Sequence, residues 1–374
     1  MAVSGAAHLG AWRALIALSA ALSAALAPAS ASAQSPRFDL VIRNGLVVDG
    51  NGAPPYRGDI AITGDRIARV APRIDEAAVR VIDAGGKVLA PGFIDVHTHV
   101  RAGIFITPTA DNYVYQGVTT LIEGPDGNSP VPLAPFFIRL EALAKTVNIG
   151  SFIGHGSVRE AVIGRDDRRA SSEELKRMRA LVEQGMRDGA FGLSSGLIYV
   201  PGLFAPTEEI VELAKVAGRL GGHYQTHIRN ESGHAVDAVR EAIAIGEQAK
   251  IPVQITHHKL VGRRAWGMSV DTLREIDAAR ARGQDVTIDQ YPYTGVGGNF
   301  FATLVPADLT AGGRKQLLLR LQDHAVRARL TAVIERKLRA SGGRPYLDRV
   351  VISRCDFDES LAGQSIAELT RQRH

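Results

Sequence analysis

Cysteine is nearly absent from this chain. Cys355 stands alone among 374 residues, so no disulfide can form within the chain. Charge of one sign is not concentrated either: the formal net charge is +5, and the basic residues are spread along the sequence, which argues against nucleic acid as a partner. No low-complexity tract occurs. The composition, with 45% hydrophobic and 22% charged residues, instead indicates a globular protein with a large core.

Long apolar runs are also missing. The most apolar segment is ALIALSAALSAALA near the N-terminus. Its length of about 14 residues is short for a membrane span. Arg13 precedes it and small residues follow at 31–33, a pattern that predicts a secretory signal peptide over residues 1–33. We therefore expect an exported, periplasmic or secreted protein with no membrane span in the mature chain. The alternative is an uncleaved anchor, which the polar residues after position 33 disfavour.

Two patterns divide the rest of the chain. Residues 34–90 alternate apolar and polar residues between turn signals, which predicts a small β-unit of the β-sandwich kind. From residue 91 to residue 298, short apolar segments alternate with helical ones such as 172–189, 207–222 and 234–250. This regular alternation predicts an α/β fold with a parallel sheet, closed into a TIM-like (β/α)8 barrel rather than left open.

The predicted barrel has seven strand candidates where eight are needed. In order they are GFIDVHTH, VTTLIEG, VNIGSFIGHG, AFGLSSGL, GHYQTHI, PVQITHH and DVTIDQY. Residues 299–374, with a helical part and the strand-like segment RVVISRC, are predicted to be an insertion after strand seven. We therefore expect an incomplete barrel in which strand eight is missing.

Polar residues gather where these strands end, the place where barrel enzymes build their sites. His97 and His99 are spaced i and i+2, so their side chains share one face of an extended strand. Glu123, His227 and His257 lie at the ends of three other strands. A pair of histidines alone could be structural. Several imidazoles with a carboxylate favour a site for zinc or a similar divalent ion.

Seven motifs follow one another up to about residue 300: FIDVHTH, QGVTTLIEG, IGHGSVRE, GAFGLSSGLIYVPG, YQTHIRNE, ITHHK and DVTIDQYPYT. Together they resemble the amidohydrolase superfamily and, within it, the N-acyl-D-amino-acid deacylases, also called D-aminoacylases. The resemblance implies one or two Zn²⁺ ions. It also implies hydrolysis of the amide bond of an N-acyl-D-amino acid, a small-molecule substrate, into a D-amino acid and a carboxylate.

Site roles follow from the resemblance. It implies that His97 and His99 bind at one metal subsite and that His227 and His257 bind at the other. Lys259 matches a position that binds the substrate carboxylate, and a weaker candidate for the same pocket is Tyr291.

The remaining histidines are less informative. His155 and Arg159 match the family motif GHGSVRE, and both substrate contact and loop packing are open for them. His258 is expected to be structural, because it would point away from the face that His257 uses. His223 and His234 are expected at the surface.

The chain departs from the family pattern at two places. The family's cysteine ligand after strand two is replaced by EGPDG. There Glu123 or Asp126 can supply a carboxylate instead, and the position and reach of Glu123 make it the preferred ligand. The family's general base, an aspartate after strand eight, is not found, and Asp289 in strand seven is not its equivalent. No catalytic residue is therefore assigned, and little or no deacylase activity is expected of these 374 residues alone.

Two alternatives remain from the sequence. A cyclic-amide hydrolase of the hydantoinase or dihydroorotase type would use a carboxylated lysine from strand four, and AFGLSSGL contains no lysine. A non-catalytic remnant of a deacylase is the other alternative. The sequence predicts nothing about oligomeric state.

Overall fold

A computed structural model describes residues 37–298, 305–340 and 348–373. The predicted signal peptide at 1–33 lies outside these residues. The chain divides into two compact units, one ending at Pro91 and the other beginning at Gly92. The sequence-based boundaries at 34–90, 91–298 and 299–374 stay predictions. Every helix in the described ranges is too short or too polar to cross a lipid bilayer.

The first unit is a five-stranded sheet. Its strands are β1 (Phe38–Val47), β2 (Tyr56–Thr63), β3 (Arg66–Ala71), β4 (Ala78–Asp83) and β5 (Val88–Leu89). Short turns make β1, β2 and β3 antiparallel neighbours, whereas β4 and β5 both run parallel to β1. Phe38, Val41, Ala61 and Ile74 form its small core.

The second unit contains every strand predicted from the alternating pattern. One sheet has the order β6-β7-β8 and the other has the order β13-β12-β11-β10-β9, and all neighbouring pairs are parallel. The third predicted strand is divided in two at Phe152. The strands are β6 (Phe93–Asp95), β7 (Val118–Glu123), β8 (Asn148–Ser151), β9 (Ile153–Gly154), β10 (Gly192–Gly196), β11 (His223–His227), β12 (Val253–Ile255) and β13 (Val286–Ile288).

Helices connect these parallel strands. They are α1 (Asp111–Val114), α2 (Ala134–Glu141), α3 (His155–Ile163), α4 (Ser172–Arg187), α5 (Thr207–Arg219), α6 (Ala235–Ala249) and α7 (Ser269–Ala281). Three of them, α4, α5 and α6, correspond to the helices predicted at 172–189, 207–222 and 234–250. The start of α4 is fixed by a capping box, in which Ser171 and Glu174 bond each other's backbone N–H.

The main core lies between the second sheet and its helices. Leu193, Tyr224 and Val253 from adjacent strands pack with Ile210 and Leu213 of α5, and all are 2% exposed or less. Burial of these apolar side chains holds the strands in place. The strand ends that carry the polar residues are therefore fixed by a packed core.

The region after residue 304 differs from its prediction. The helical part is divided into α8 (Ala307–Thr310), α9 (Gly313–Arg320) and α10 (His324–Ala340), followed by α11 (Ile366–Arg373). The strand-like segment RVVISRC forms only an isolated bridge between Val351 and Ser365. The strand prediction was wrong because an apolar segment needs a neighbouring strand to extend the ladder, and the described residues provide a single bridging pair.

Candidate metal centre

The FIDVHTH segment brings two imidazoles to one point, although its strand is shorter than predicted. β6 ends at Asp95, and both histidines lie in the loop that follows. Thr98 anchors this loop, because its backbone N–H and its hydroxyl both donate to the carbonyl of Ile122 on β7. The loop points Nε2 of His97 and Nε2 of His99 at the same oxygen, Oδ2 of Asp126, at 3.4 and 3.3 Å.

Asp126 is turned back over the strand ends by a tight loop after β7. Its φ of 56° is left-handed, a conformation that aspartate tolerates better than most residues. Two glycines make room for the loop: a Cβ on Gly196 would lie 2.2 Å from the Asp126 carbonyl oxygen, and one on Gly154 would lie 2.5 Å from Gly127. Since larger residues would clash there, these glycines allow the Asp126 carboxylate to reach the site.

Two more imidazoles come from the second sheet. His227 is the last residue of β11, and its Nδ1 lies 3.6 Å from Oδ1 of Asp126. His257 follows β12 in a left-handed conformation with φ of 37°, and its Nε2 lies 3.5 Å from the same oxygen. Asp289 fixes this turn by accepting hydrogen bonds from the backbone N–H of His257 and from the Gln254 amide.

The Asp126 carboxylate therefore lies between two pairs of imidazoles. His97 and His99 group with one side of it, and His227 and His257 group with the other, with the potential ligand atoms of each group within 4.8 Å of one another. Oδ1 of Asp126, which faces His227 and His257, is buried and has no hydrogen-bond partner among the described residues. Buried polar atoms are rarely left unpaired, and nitrogen and carboxylate donors grouped in this way suit zinc.

The electrostatics of the site also favour a bound cation. Burial alone would raise the pKa of Asp126, but the four surrounding imidazoles lower it well below its usual range. Burial lowers the pKa of His227. Burial also opposes charge on His257, but the carboxylates of Asp126 and Glu231 raise its pKa to about 9. The Asp126 carboxylate therefore stays ionised, the form in which it can bind a divalent cation.

The structure reverses the preference between the two candidate carboxylates. Glu123 ends β7 as predicted and is 1% exposed, but its carboxylate faces Arg101, whose Nε is 3.5 Å away and whose backbone N–H is 3.3 Å away. Burial raises the pKa of Glu123. The left-handed turn at Asp126, rather than side-chain length, decides which carboxylate meets the histidines, and metal binding by Glu123 stays a prediction.

Lys259 lies beside the histidines, as its proposed role requires, but it already has a partner. Its Nζ is 2.6 Å from Oε1 of Glu231 and 3.0 Å from Nδ1 of His257. Tyr291 is its other neighbour, with the ring centre 5.7 Å from Nζ. Lys259 also lines a cavity of about 800 Å³ together with Trp266 and other residues. Substrate binding by Lys259 and Tyr291 stays a prediction.

The two residues left open in GHGSVRE are buried away from solvent. His155 and Arg159 are both 0% exposed, and both bond Glu209 of α5, with His155 Nε2 at 2.9 Å and an Arg159 guanidinium nitrogen at 2.5 Å. This geometry favours packing over substrate contact. His258 is also structural, since its Nε2 lies 2.9 Å from the Thr272 hydroxyl.

Three neighbours of the histidines were not identified from the sequence. The Tyr199 hydroxyl lies 3.3 Å from Nδ1 of His227, Glu231 contacts two imidazoles, and Gln225 donates to the carbonyl of Val96 next to His97. Tyr199 and Glu231 lie within the recognised segments LIYVPG and THIRNE, so their place in the motifs was the available signal. For Gln225 the sequence offered no signal beyond its position on β11.

Comparisons with known proteins identify the family of this chain. The profile of the Amidohydrolase family matches residues 80–336. A D-aminoacylase of Alcaligenes xylosoxydans xylosoxydans is 39% identical over 282 residues, which are 69% of this chain and 58% of that protein. The chain spans 56–58% of the length of the three deacylases of that organism that it matches.

Solved structures of deacylases are also similar to this chain. A crystal structure of N-acyl-D-glutamate deacylase from Bordetella bronchiseptica, complexed with zinc and a phosphonate inhibitor, has a TM-score of 0.66 at 33% identity and covers 68% of this chain and 59% of its own. A D-aminoacylase crystal structure has a TM-score of 0.72 at 31% identity and covers 90% of this chain and 67% of its own. An L-hydantoinase from Arthrobacter aurescens, at 20% identity and a TM-score of 0.50, shows the shared fold alone.

Proposed function

Because this chain belongs to the amidohydrolase family, we propose that its histidine cluster is the metal centre of an N-acyl-D-amino-acid deacylase. The observation that carries the proposal is the position of Asp126, whose carboxylate lies between four imidazoles from three strand ends. The relatives that match 68–69% of this chain include a D-aminoacylase, an N-acyl-D-aspartate deacylase and an N-acyl-D-glutamate deacylase.

Two subsites share one carboxylate in this proposal. His97 and His99 would hold a zinc ion with one side of Asp126, and His227 and His257 would hold one with the other side. A zinc ion in such a site acts as a Lewis acid toward an amide carbonyl and makes water acidic enough to attack near neutral pH. The protein's own part is to hold these ligands rigidly at the strand ends.

The substrate carboxylate would bind next to this centre. Lys259 offers an ammonium beside His257, with Tyr291 next to it, and also lines the cavity of about 800 Å³. An N-acyl amino acid carries the α-carboxylate that a lysine can pair with. The general base that the resemblance implies after strand eight is not placed among the described residues, so metal binding is the primary test.

The cyclic-amide alternative receives no support from the structure. β10 has the sequence GLSSG and therefore offers no lysine for carboxylation.

Three broader features are also part of the proposal. The two parallel sheets would be sectors of one (β/α) barrel, supported by the similarity to D-aminoacylase structures. The first unit would be one layer of a β-sandwich, supported by its mostly exposed strands β3 and β4. The N-terminal pattern at 1–33 supports export.

The test combines metal analysis with an activity assay. Purified protein, stripped of metal and then dialysed against zinc, is expected to retain one or two zinc ions per chain. It is then assayed for release of amino acid from N-acetyl-D-amino acids and from their L enantiomers. No retained zinc contradicts the metal centre. Turnover limited to L substrates or to cyclic amides contradicts the deacylase assignment and leaves the metal centre standing.

A further inference from the structure

Glu231 lies directly behind two of the four imidazoles. It follows β11 by four residues, and its side chain is 10% exposed. Oε1 of Glu231 is 3.1 Å from Nδ1 of His257 and 3.5 Å from Nε2 of His227. Both rings present their other nitrogen to Asp126. One carboxylate therefore contacts the outer nitrogen of two imidazoles whose inner nitrogens face the metal centre.

The outer nitrogen of His257 has two possible partners of opposite kind. Lys259 Nζ lies 3.0 Å from it and can only donate a hydrogen bond, whereas Glu231 Oε1 can only accept one when ionised. A neutral imidazole carries one N–H, so coordination through Nε2 requires the hydrogen to be on Nδ1. Of these two partners, only Glu231 can accept that hydrogen. Glu231 also accepts from Lys259 Nζ at 2.6 Å, so the ammonium has a partner other than Nδ1 of His257.

We propose that Glu231 is a positioning residue that sets the metal-binding tautomer of His257, orients His227, and couples both to Lys259, the proposed substrate-binding residue. The proposal rests on the metal centre proposed above. Carboxylates that accept from a ligating histidine fix its tautomer and increase its basicity, and their loss costs about 10–100-fold in metal affinity.

Glutamine is the informative replacement because it keeps the shape of Glu231. Its amide oxygen is an uncharged and weaker acceptor for the Nδ1 hydrogen of His257, and its amide nitrogen can donate to Nδ1 instead, which places the imidazole hydrogen on Nε2 and blocks that nitrogen. Glu231→Gln is therefore expected to weaken zinc binding about 10–100-fold. Glu231→Asp keeps the acceptor but shortens its reach, so its zinc affinity should lie between those of wild type and Glu231→Gln.

Two further variants separate tautomer control from simple charge effects. Glu231→Gln leaves the Lys259 ammonium without its carboxylate, and that charge alone would repel a cation. In Glu231→Gln/Lys259→Met the charge is gone, so continued weak zinc binding supports tautomer control and recovery to wild-type affinity overturns it. Glu212→Gln is the control, because Glu212 pairs with a lysine ammonium, that of Lys215, and with Arg179, and contacts no histidine among the described residues.

The measurement is zinc affinity by competition with a chromophoric chelator, on metal-free full chains whose circular dichroism spectra match. The zinc affinities of wild type and Glu212→Gln should agree within about twofold. This difference is much smaller than the loss expected when a carboxylate behind a ligating histidine is removed. Wild-type affinity in Glu231→Gln overturns the proposal. If that variant does not fold, Glu231→Leu, which removes the acceptor altogether, takes its place, and wild-type affinity in it would overturn the proposal equally. Absence of zinc from the wild type itself would contradict the proposed function instead.

Discussion

Buried carboxylates are the main feature of this protein at the scale of single residues. Asp126, Glu231 and Glu209 have side chains 11%, 10% and 3% exposed. Each is surrounded by imidazoles or cations, because a buried charge without a partner is strongly unfavourable. Asp126 lies within the candidate metal centre, and Glu231 lies behind two of its histidines. Glu209 instead ties α3 to α5 through His155 and Arg159, and its role is stability.

Replacement of Glu209 tests this structural role. Glu209→Gln should lower the free energy of unfolding by about 3–5 kcal/mol, because it leaves the Arg159 guanidinium buried without its counter-ion. Glu183→Gln is the control: Glu183 pairs with Arg187 on an exposed face of α4, and its loss should cost less than about 0.5 kcal/mol. Urea denaturation of the metal-free chains measures both, and equal effects would contradict the assignment.

The same pair predicts a pH dependence. Burial alone would raise the pKa of Glu209, but His155 and Arg159 lower it below its ordinary value of 4.5. A carboxyl group whose pKa is lower in the folded state stabilises the fold above its unfolded pKa, and this stabilisation is lost as the pH falls. The difference in unfolding free energy between wild type and Glu209→Gln should thus be constant near neutral pH and decrease below pH 4.5.

The histidines of the site could be predicted from the sequence, and so could Asp126 as one of two candidate carboxylates, but the choice between Asp126 and Glu123 could not. His97, His99, His227 and His257 follow apolar segments that read directly as strands. Asp126 reaches the site through a left-handed turn and the space left by Gly154 and Gly196, and both depend on contacts between distant parts of the chain. For the same reason Glu231 and Tyr199 were visible only as members of motifs.

At the scale of elements, close contact between strands depends on glycine. Gly192 of β10 pairs with His223 of β11, and a Cβ added at Gly192 would lie 1.9 Å from the His223 carbonyl oxygen. This distance is far below van der Waals contact. The position of β11, and with it His227, therefore depends on an unobstructed Gly192.

Gly192→Ala is expected to destabilise the protein by about 1–3 kcal/mol, as overpacking of a closed site does, and to weaken zinc binding by displacing His227. Gly233→Ala is the matched control, since a Cβ there would meet no atom within 4 Å. Thermal unfolding and zinc competition check both variants. Unchanged stability in Gly192→Ala would show that the two strands can separate without cost.

The strands themselves were predictable because each is a short apolar segment between helical segments. The division of the third strand at Phe152 was not, since it reflects a change of partner from β7 to β10 that has no local signal. The segment RVVISRC shows the opposite error. Its apolar character is local, whereas formation of a strand requires a neighbour.

At the scale of the whole molecule, two parallel sheets contribute ligands to one point. The sheet with order β6-β7-β8 supplies His97, His99 and Asp126, and the five-stranded parallel sheet supplies His227 and His257. The order of α and β segments predicted the parallel arrangement. The relation between the two sheets depends on long-range packing that no local pattern encodes. The centre therefore requires the fold of the second unit rather than any one motif.

The most direct test of this account is the zinc affinity of Asp126→Asn compared with that of Glu123→Gln. Both variants remove one buried carboxylate near the end of β7, three residues apart. We predict that Asp126→Asn loses more than about 100-fold in affinity, beyond the usual effect of an outer partner, and that Glu123→Gln stays within about tenfold of wild type. Wild-type affinity in Asp126→Asn, or a greater loss in Glu123→Gln, would contradict a metal centre organised by Asp126.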